Sequence, residues 1–191
     1  MTAEAPKTDS RPYIIRMYDR WIILAIVLVL AWFARPAFAF TLYYRGVSFE
    51  RMLVMVTAEH YYKKSIYVYD KIPEGWQGLG ELYYMAAPGN RSVYERTRDT
   101  FERGLALNPG SFWLAFDLGR TYFLGKDFPR AVGAFDRAVR LNPTNRAALD
   151  YAAWSAFREG NRQLALQYWR RLLSIYPADP IRGVVQRYYG G

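Results

Sequence analysis

The chain has 191 residues, 52% of them hydrophobic and 18% aromatic, and a net charge of +9. That length allows one anchor plus one small domain, and the apolar surplus exceeds what a small soluble fold needs, so part of it should face lipid or a partner. Without cysteine and with a single histidine, His60, the chain can hold no disulfide, thiolate nucleophile, cysteine zinc site, covalent haem or multi-histidine metal site.

Taken in chain order, residues 1–20 form a mixed polar leader in which Lys7, Arg11, Arg16 and Arg20 alternate with Glu4, Asp9 and Asp19. Trp21 to Ala34 then carries no charged or strongly polar residue. Alone it is short of the roughly 20 residues that cross a bilayer, but continued through Arg35-Pro36 to Tyr44 it is long enough. We expect a transmembrane anchor over 21–44, with Trp21, Trp32, Tyr43 and Tyr44 at the two interfaces and Arg35 snorkelling to the headgroups. A secretory signal cleaved near Ala37-Phe38-Ala39 is the rival reading; the long leader with its acidic residues favours a retained anchor. Arg45 and Arg51 beyond the span are fewer than the basic residues before it. A single-pass protein with a cytoplasmic N-terminus and an extracytoplasmic (in a Gram-negative cell, periplasmic) C-terminal domain follows from that bias.

Residues 45–72 read as a juxtamembrane helix, or an N-terminal cover: Phe49, Met52, Leu53, Val56 and His60 recur at helical spacing. Ala58-x3-Tyr62-x2-Ser65 faintly echoes a pattern that becomes strong further on. Phe112 to Asn145 and Arg146 to Asp179 are aligned at a period of 34 residues. The first carries Leu118-Gly119 and Tyr122, then Ala131, Phe135, Ala138 and Pro143. The second keeps Ala165, Trp169 and Pro177 at the matching offsets, and puts Ala152-Ala153 and Ala156 where the first has Leu-Gly and Tyr. Upstream, Trp76-x2-Leu79-Gly80-x2-Tyr83 is followed by a second helix over 94–107 and Asn108-Pro109, with about five extra residues in the turn near Pro88-Gly89.

These residues resemble the tetratricopeptide repeat (TPR), a helix–turn–helix unit, in three copies at 73–111, 112–145 and 146–179, with 180–191 as a short cap or tail. The expected fold is all-α: an N-terminal transmembrane helix followed by a short α-solenoid of about three TPR hairpins. Small residues let paired helices approach and large ones fill the space between pairs, while the prolines stop the second helix.

The resemblance implies a concave face built by positions 2, 5, 9, 12 and 13 of each first helix. In the first copy these are Glu74, Gln77, Glu81, Tyr84 and Met85. In the second they include Trp113, Phe116, Arg120 and Phe123, and in the third Asp150, Trp154, Phe157 and Arg158. We therefore expect a protein-binding groove of Tyr84, Trp113, Phe116, Arg120, Phe123, Asp150, Trp154, Phe157 and Arg158, since aromatics and arginine carry interface energy. Clamps for a chaperone's C-terminal carboxylate use Lys and Asn on this face, so an apolar helix or extended segment suits it better.

No catalytic constellation emerges. His60 has no second histidine, and Asp117, Asp136, Asp150 and Glu159 fall at surface and turn positions of the repeats. Gly75 to Gly80 is glycine-rich but follows no strand and lacks a phosphate-binding Lys-Ser/Thr. The basic residues are spread without a Lys/Arg cluster among aromatics, so no nucleic acid is expected. The reading is a non-catalytic scaffold without cofactor or metal. It would be an accessory subunit or assembly factor of a membrane or envelope complex, with membrane-complex subunits or exported proteins and membrane lipid as partners. The alternative is a structural protein that stacks its repeats into a homo-oligomer, because uncapped solenoids expose apolar ends.

Overall fold

Helix starts in the C-terminal two-thirds of the chain are written into short polar side chains. In the computed structural model, which describes residues 13–189, the side chains of Asn90, Ser111, Asp127, Asn145 and Asn161 each accept a hydrogen bond from the backbone N–H three residues on. Each thereby satisfies an amide that the first turn would leave unpaired. These caps open α4 (Arg91–Leu107), α5 (Phe112–Leu124), α6 (Phe128–Leu141), α7 (Arg146–Glu159) and α8 (Arg162–Ile175). α3 (Pro73–Ala86) starts instead on a proline in its first turn, whose fixed φ suits that position. A last helix, α9 (Ile181–Tyr189), closes the array.

The helices pair as antiparallel hairpins, α3 with α4, α5 with α6 and α7 with α8, and successive pairs pack side by side. Among the described residues there is no strand. The all-α solenoid expected from the repeats is what forms.

A fourth pair precedes these three. α1 (Tyr13–Arg51) is one continuous helix of 39 residues, about 58 Å long, and its final turns pack against α2 (Met55–Val68). The pair is in register with the repeats. Counting 34 residues back from Gly80 places Gly46 where the later first helices have Gly80, Gly119 and Ala153. Ala58 then aligns with Thr97, Ala131 and Ala165, and Tyr62 with Phe101, Phe135 and Trp169. These second-helix residues are all buried.

The reason is steric. A methyl group on Gly46 would lie 2.6 Å from the Tyr62 ring, and one on Gly119 would lie 2.7 Å from the Phe135 ring. In both pairs a ring lies directly on the partner helix, which only a missing side chain permits.

The turns between paired helices repeat as well. Leu53, Lys126 and Gly160 each take a left-handed conformation, with φ of 61°, 60° and 96°. In each case the next residue's N–H reaches back to a carbonyl of the last helical turn: Val54 to Phe49, Asp127 to Tyr122, Asn161 to Ala156, all at 2.9 Å. This closes the helix end in the usual left-handed way. Only the last of the three turns uses glycine.

The helices therefore do not break where an anchor at 21–44 and a cover at 45–72 were expected. Ala39 and Leu42, which continue the apolar run, are buried against α2 rather than left for lipid. Residues 21–34 are exposed throughout, and by length and composition α1 is apolar enough to cross a membrane. Trp21 and Trp32 are exposed.

Two expected interface residues have other neighbours. Arg35 is half-buried, stacks its guanidinium 4.8 Å above the Trp32 ring and donates through Nε to the Val68 carbonyl at 3.0 Å. Tyr43 packs on Tyr62 at a ring separation of 5.9 Å and on the exposed Tyr44 at 5.2 Å. Pro36, which removes one hydrogen bond from α1, lies between Arg35 and Ala39. The Ala39 carbonyl in turn accepts from Ser65 Oγ at 2.8 Å, so the end of α2 is bonded to α1 on both sides of the proline.

At the far end, Ile181 is buried and Val184 and Val185 pack on the main core. Asp179 is bonded to Arg146. The terminal segment, expected to be a short cap or tail, covers the last pair, because its apolar residues recur at helical spacing and meet the core.

Candidate functional site: the inner face of the first helices

The first helices α1, α3, α5 and α7 lie beside one another and carry the residues expected to form a groove. These residues do not share one fate.

Trp113 stands out from α5, 54% exposed. Phe116, three residues on, is buried, edge-on to Phe135 at 5.6 Å and to Tyr151 at 5.7 Å. Phe123 is half-buried between Phe128 and Tyr151, at 5.5 and 5.9 Å. Trp154 and Phe157 pack on Trp169, at 5.1 and 5.9 Å, and Phe157 is further covered by Tyr188 of α9 at 5.2 Å. Arg158 is exposed. Asp150 is half-buried and accepts a long hydrogen bond from Trp169 Nε1 at 3.4 Å; burial pushes its carboxyl up, only partly offset by that bond.

The open part of the face lies further toward α3. Arg120 is not a free rim residue: its guanidinium sits 4.5 Å above the Tyr84 ring and bonds Asp117 Oδ1 at 2.9 Å. Asp117, expected at the surface, is 2% exposed, because it faces the neighbouring first helix rather than solvent. Its second oxygen, Oδ2, is buried with no hydrogen-bond partner. Burial, and then the carboxylate of Glu81, push Asp117 up to about 6 despite the Arg120 bond.

Glu81 itself accepts from Gln77 Nε2 at 3.3 Å, and Glu74 Oε2 is a further buried oxygen without a partner. Asp117 and Tyr151 take part in the face yet were missed as groove residues. Both occupy the sixth position of their first helix, which the five-position pattern omits. A sequence signal existed: a carboxylate three residues before an arginine on one helix is a ready ion pair.

His60 is exposed, with its ring edge-on to Tyr61 at 5.8 Å. Among the described residues no three acidic or histidine side chains gather as metal ligands.

The family profile of the tetratricopeptide repeat matches residues 94–146 and 116–180. No curated protein sequence matches the chain. Solved structures similar in fold include MamA, with a TM-score of 0.64 at 19% identity, covering 73% of this chain and 78% of that one. A thermophilic TPR protein of Thermus thermophilus, TTC0263, gives 0.58 at 19% identity and 78% of each chain. The first TPR of Spaghetti (RPAP3), bound to an HSP90 peptide, gives 0.57 at 16%, covering 64% of this chain and 93% of that one. With the matched repeats, the register of the helix pairs and this common fold in hand, residues 94–180 carry tetratricopeptide repeats, and the helix pairs before them have the same fold.

Proposed function

We propose that this protein is a membrane-anchored scaffold that holds other proteins beside the bilayer, as an accessory subunit or assembly factor of a membrane or envelope complex. The observation that carries the reading is the fusion of an exposed apolar helix, in register, to a repeat array whose inner face keeps Trp113, Tyr84 and several polar groups unburied by any cap. The Spaghetti repeat that binds a peptide makes such a face a reasonable place for a partner segment. The basic leader favours a cytoplasmic N-terminus and repeats on the opposite side of the membrane. End-to-end stacking into a homo-oligomer loses its main motive, because α9 covers the apolar end that stacking would bury.

The test is a mild-detergent purification of the full chain from its native membrane, with mass spectrometry of what stays attached. A stoichiometric set of membrane subunits is expected, lost in the Trp113→Ala variant. A pure large oligomer of this chain alone would sink the scaffold reading. Protease added to spheroplasts should cut the repeats; their protection alongside cleavage of exported controls would reverse the sidedness.

A further inference from the structure

The inner face of the first three helix pairs is acidic in a chain of net charge +9. Glu50 near the end of α1, Glu74 and Glu81 on α3, and Asp117 on α5 belong to three adjacent first helices. They share one electrostatic neighbourhood: Tyr43 lies in the field of Glu74, Glu81 and Glu50 together, and Asp117 in that of Glu81. Among the described residues, Arg120 is the cation the structure bonds to this group.

Four carboxylates and one guanidinium leave a negative excess at a site partly shielded from water, where like charges repel more strongly than at the surface. The Glu50 carboxylate is occupied, accepting from the Tyr62 hydroxyl. Asp117 Oδ2 and Glu74 Oε2 are not, and each is buried. A buried oxygen with no partner loses its hydration without return. Asp117, whose side chain is 3% exposed, is thus a fixed acceptor waiting on a donor.

Two classes of cation could satisfy that oxygen, a metal ion by coordination or a side chain by donation. A metal ion needs ligands converging at 2.0–2.6 Å, and no such gathering of three exists among the described residues. A side chain cation reaches spread carboxylates through several N–H donors, and arginine does so with five. The exposed Trp113 at the same face offers a flat surface on which a guanidinium or its alkyl stem lies, as Arg120 already lies on Tyr84.

We propose that this face binds a cationic stretch of the partner protein, with an arginine or lysine entering between α3 and α5 toward Glu81 and Asp117, past Glu74. The inference rests on the scaffold reading and gives its partner a chemistry.

The experiment uses the full chain in detergent and fluorescein-labelled octapeptides read by anisotropy. One octapeptide carries three arginines among apolar residues, the second has glutamines at those places, and the third glutamates. The arginine probe should bind at least tenfold tighter than the glutamine probe and weaken steeply with salt. Glu74→Gln with Glu81→Gln should weaken the arginine probe about tenfold and leave the glutamine probe unchanged. Glu159→Gln, exposed at the end of α7, should change neither.

Equal binding of arginine and glutamine probes overturns the proposal, as does preference for the glutamate probe or an equal loss in Glu159→Gln. The salt titration needs no variant, so the proposal stays testable if the double substitution unfolds the chain. Native partners kept by the double variant but lost by Trp113→Ala would overturn the charge assignment alone. No native partner with any variant would overturn the scaffold reading itself.

Discussion

In the α5–α6 pair the Phe135 ring lies on Gly119, and Ala131 and Ala138 complete an apolar seam. In the α1–α2 pair the Tyr62 ring lies on Gly46, and Ala58 and Ser65 stand at those same two positions. The backbone geometry is shared and the means of holding it are not. α6 starts on an Asp127 cap, whereas α2 starts after Val54 with no side-chain cap. The α1–α2 pair relies on cross-helix polar bonds instead: Tyr62 to Glu50, Ser65 to the Ala39 carbonyl, Arg35 to the Val68 carbonyl. If α1 spans a membrane as proposed, apolar contact with a neighbour gains it little where lipid offers similar contact. Directional bonds then fix which face of α1 meets α2.

This contrast can be broken at its strongest point. Phe135→Ala should cost about 4 kcal/mol, because Phe135 is fully buried between two pairs. Chemical unfolding in detergent would measure it, and hydrogen exchange should quicken from α3 through α9. Tyr62→Ala should cost less, about 3 kcal/mol by the same reasoning, and should open α2 and the adjoining face of α3 while α5 to α8 keep their protection. Equal quickening everywhere in both variants would mean that the first pair is not a separate unit.

A smaller effect tests the buried acid. Asp117 is raised from an ordinary 3.8 to about 6, so the folded state holds its proton more tightly than the unfolded chain does. Its stabilising contribution is complete below the unfolded value and is lost as pH rises through about 6. Asp117→Asn should therefore gain about 2 kcal/mol on the parent between pH 4 and pH 7.5. Melting curves across that range decide it, and a gain that grows toward acid would reverse the sign.

The smallest effect concerns the turn. Leu53 adopts a left-handed backbone with its side chain 78% exposed. Leu53→Gly should stabilise the chain by up to about 1 kcal/mol, since glycine adopts that conformation without the clash. A loss would show that the leucine side chain stabilises the chain through contacts made outside the turn.

How much of this was legible in the residues alone depends on what each signal competes with. Leu79-Gly80-x2-Tyr83 and Leu118-Gly119-x2-Tyr122 are interrupted or flanked by Glu81, Asp117 and Arg120, so their spacing shows plainly. Gly46, Leu42 and Ala39 belong to the same kind of helix face but follow an apolar run, where burial against a helix and exposure to lipid call for the same residues. Ala58-x3-Tyr62-x2-Ser65 was a visible half of the pair whose other half was masked.

On the inner face, positions could be assigned but not directions. Trp113 and Phe116 are both apolar and both expected in the groove, yet only tertiary packing on Phe135 and Tyr151 turns Phe116 inward. Asp117 read as a surface acid because nothing in the sequence locates the neighbouring helix that buries it.

The two bonds that bracket Pro36 have a mechanical consequence. A proline in a helix is the natural place for it to flex, and here α2 acts as a splint across that place. Four side-by-side helix pairs at about 10 Å each make an arm of roughly 40 Å. With the joint locked, and with α1 spanning a membrane as proposed, a tilt of about 20° would swing the free end of that arm by about 14 Å. On that proposal, bilayer thickness, acting through tilt, would change the height at which the far repeats stand above the membrane.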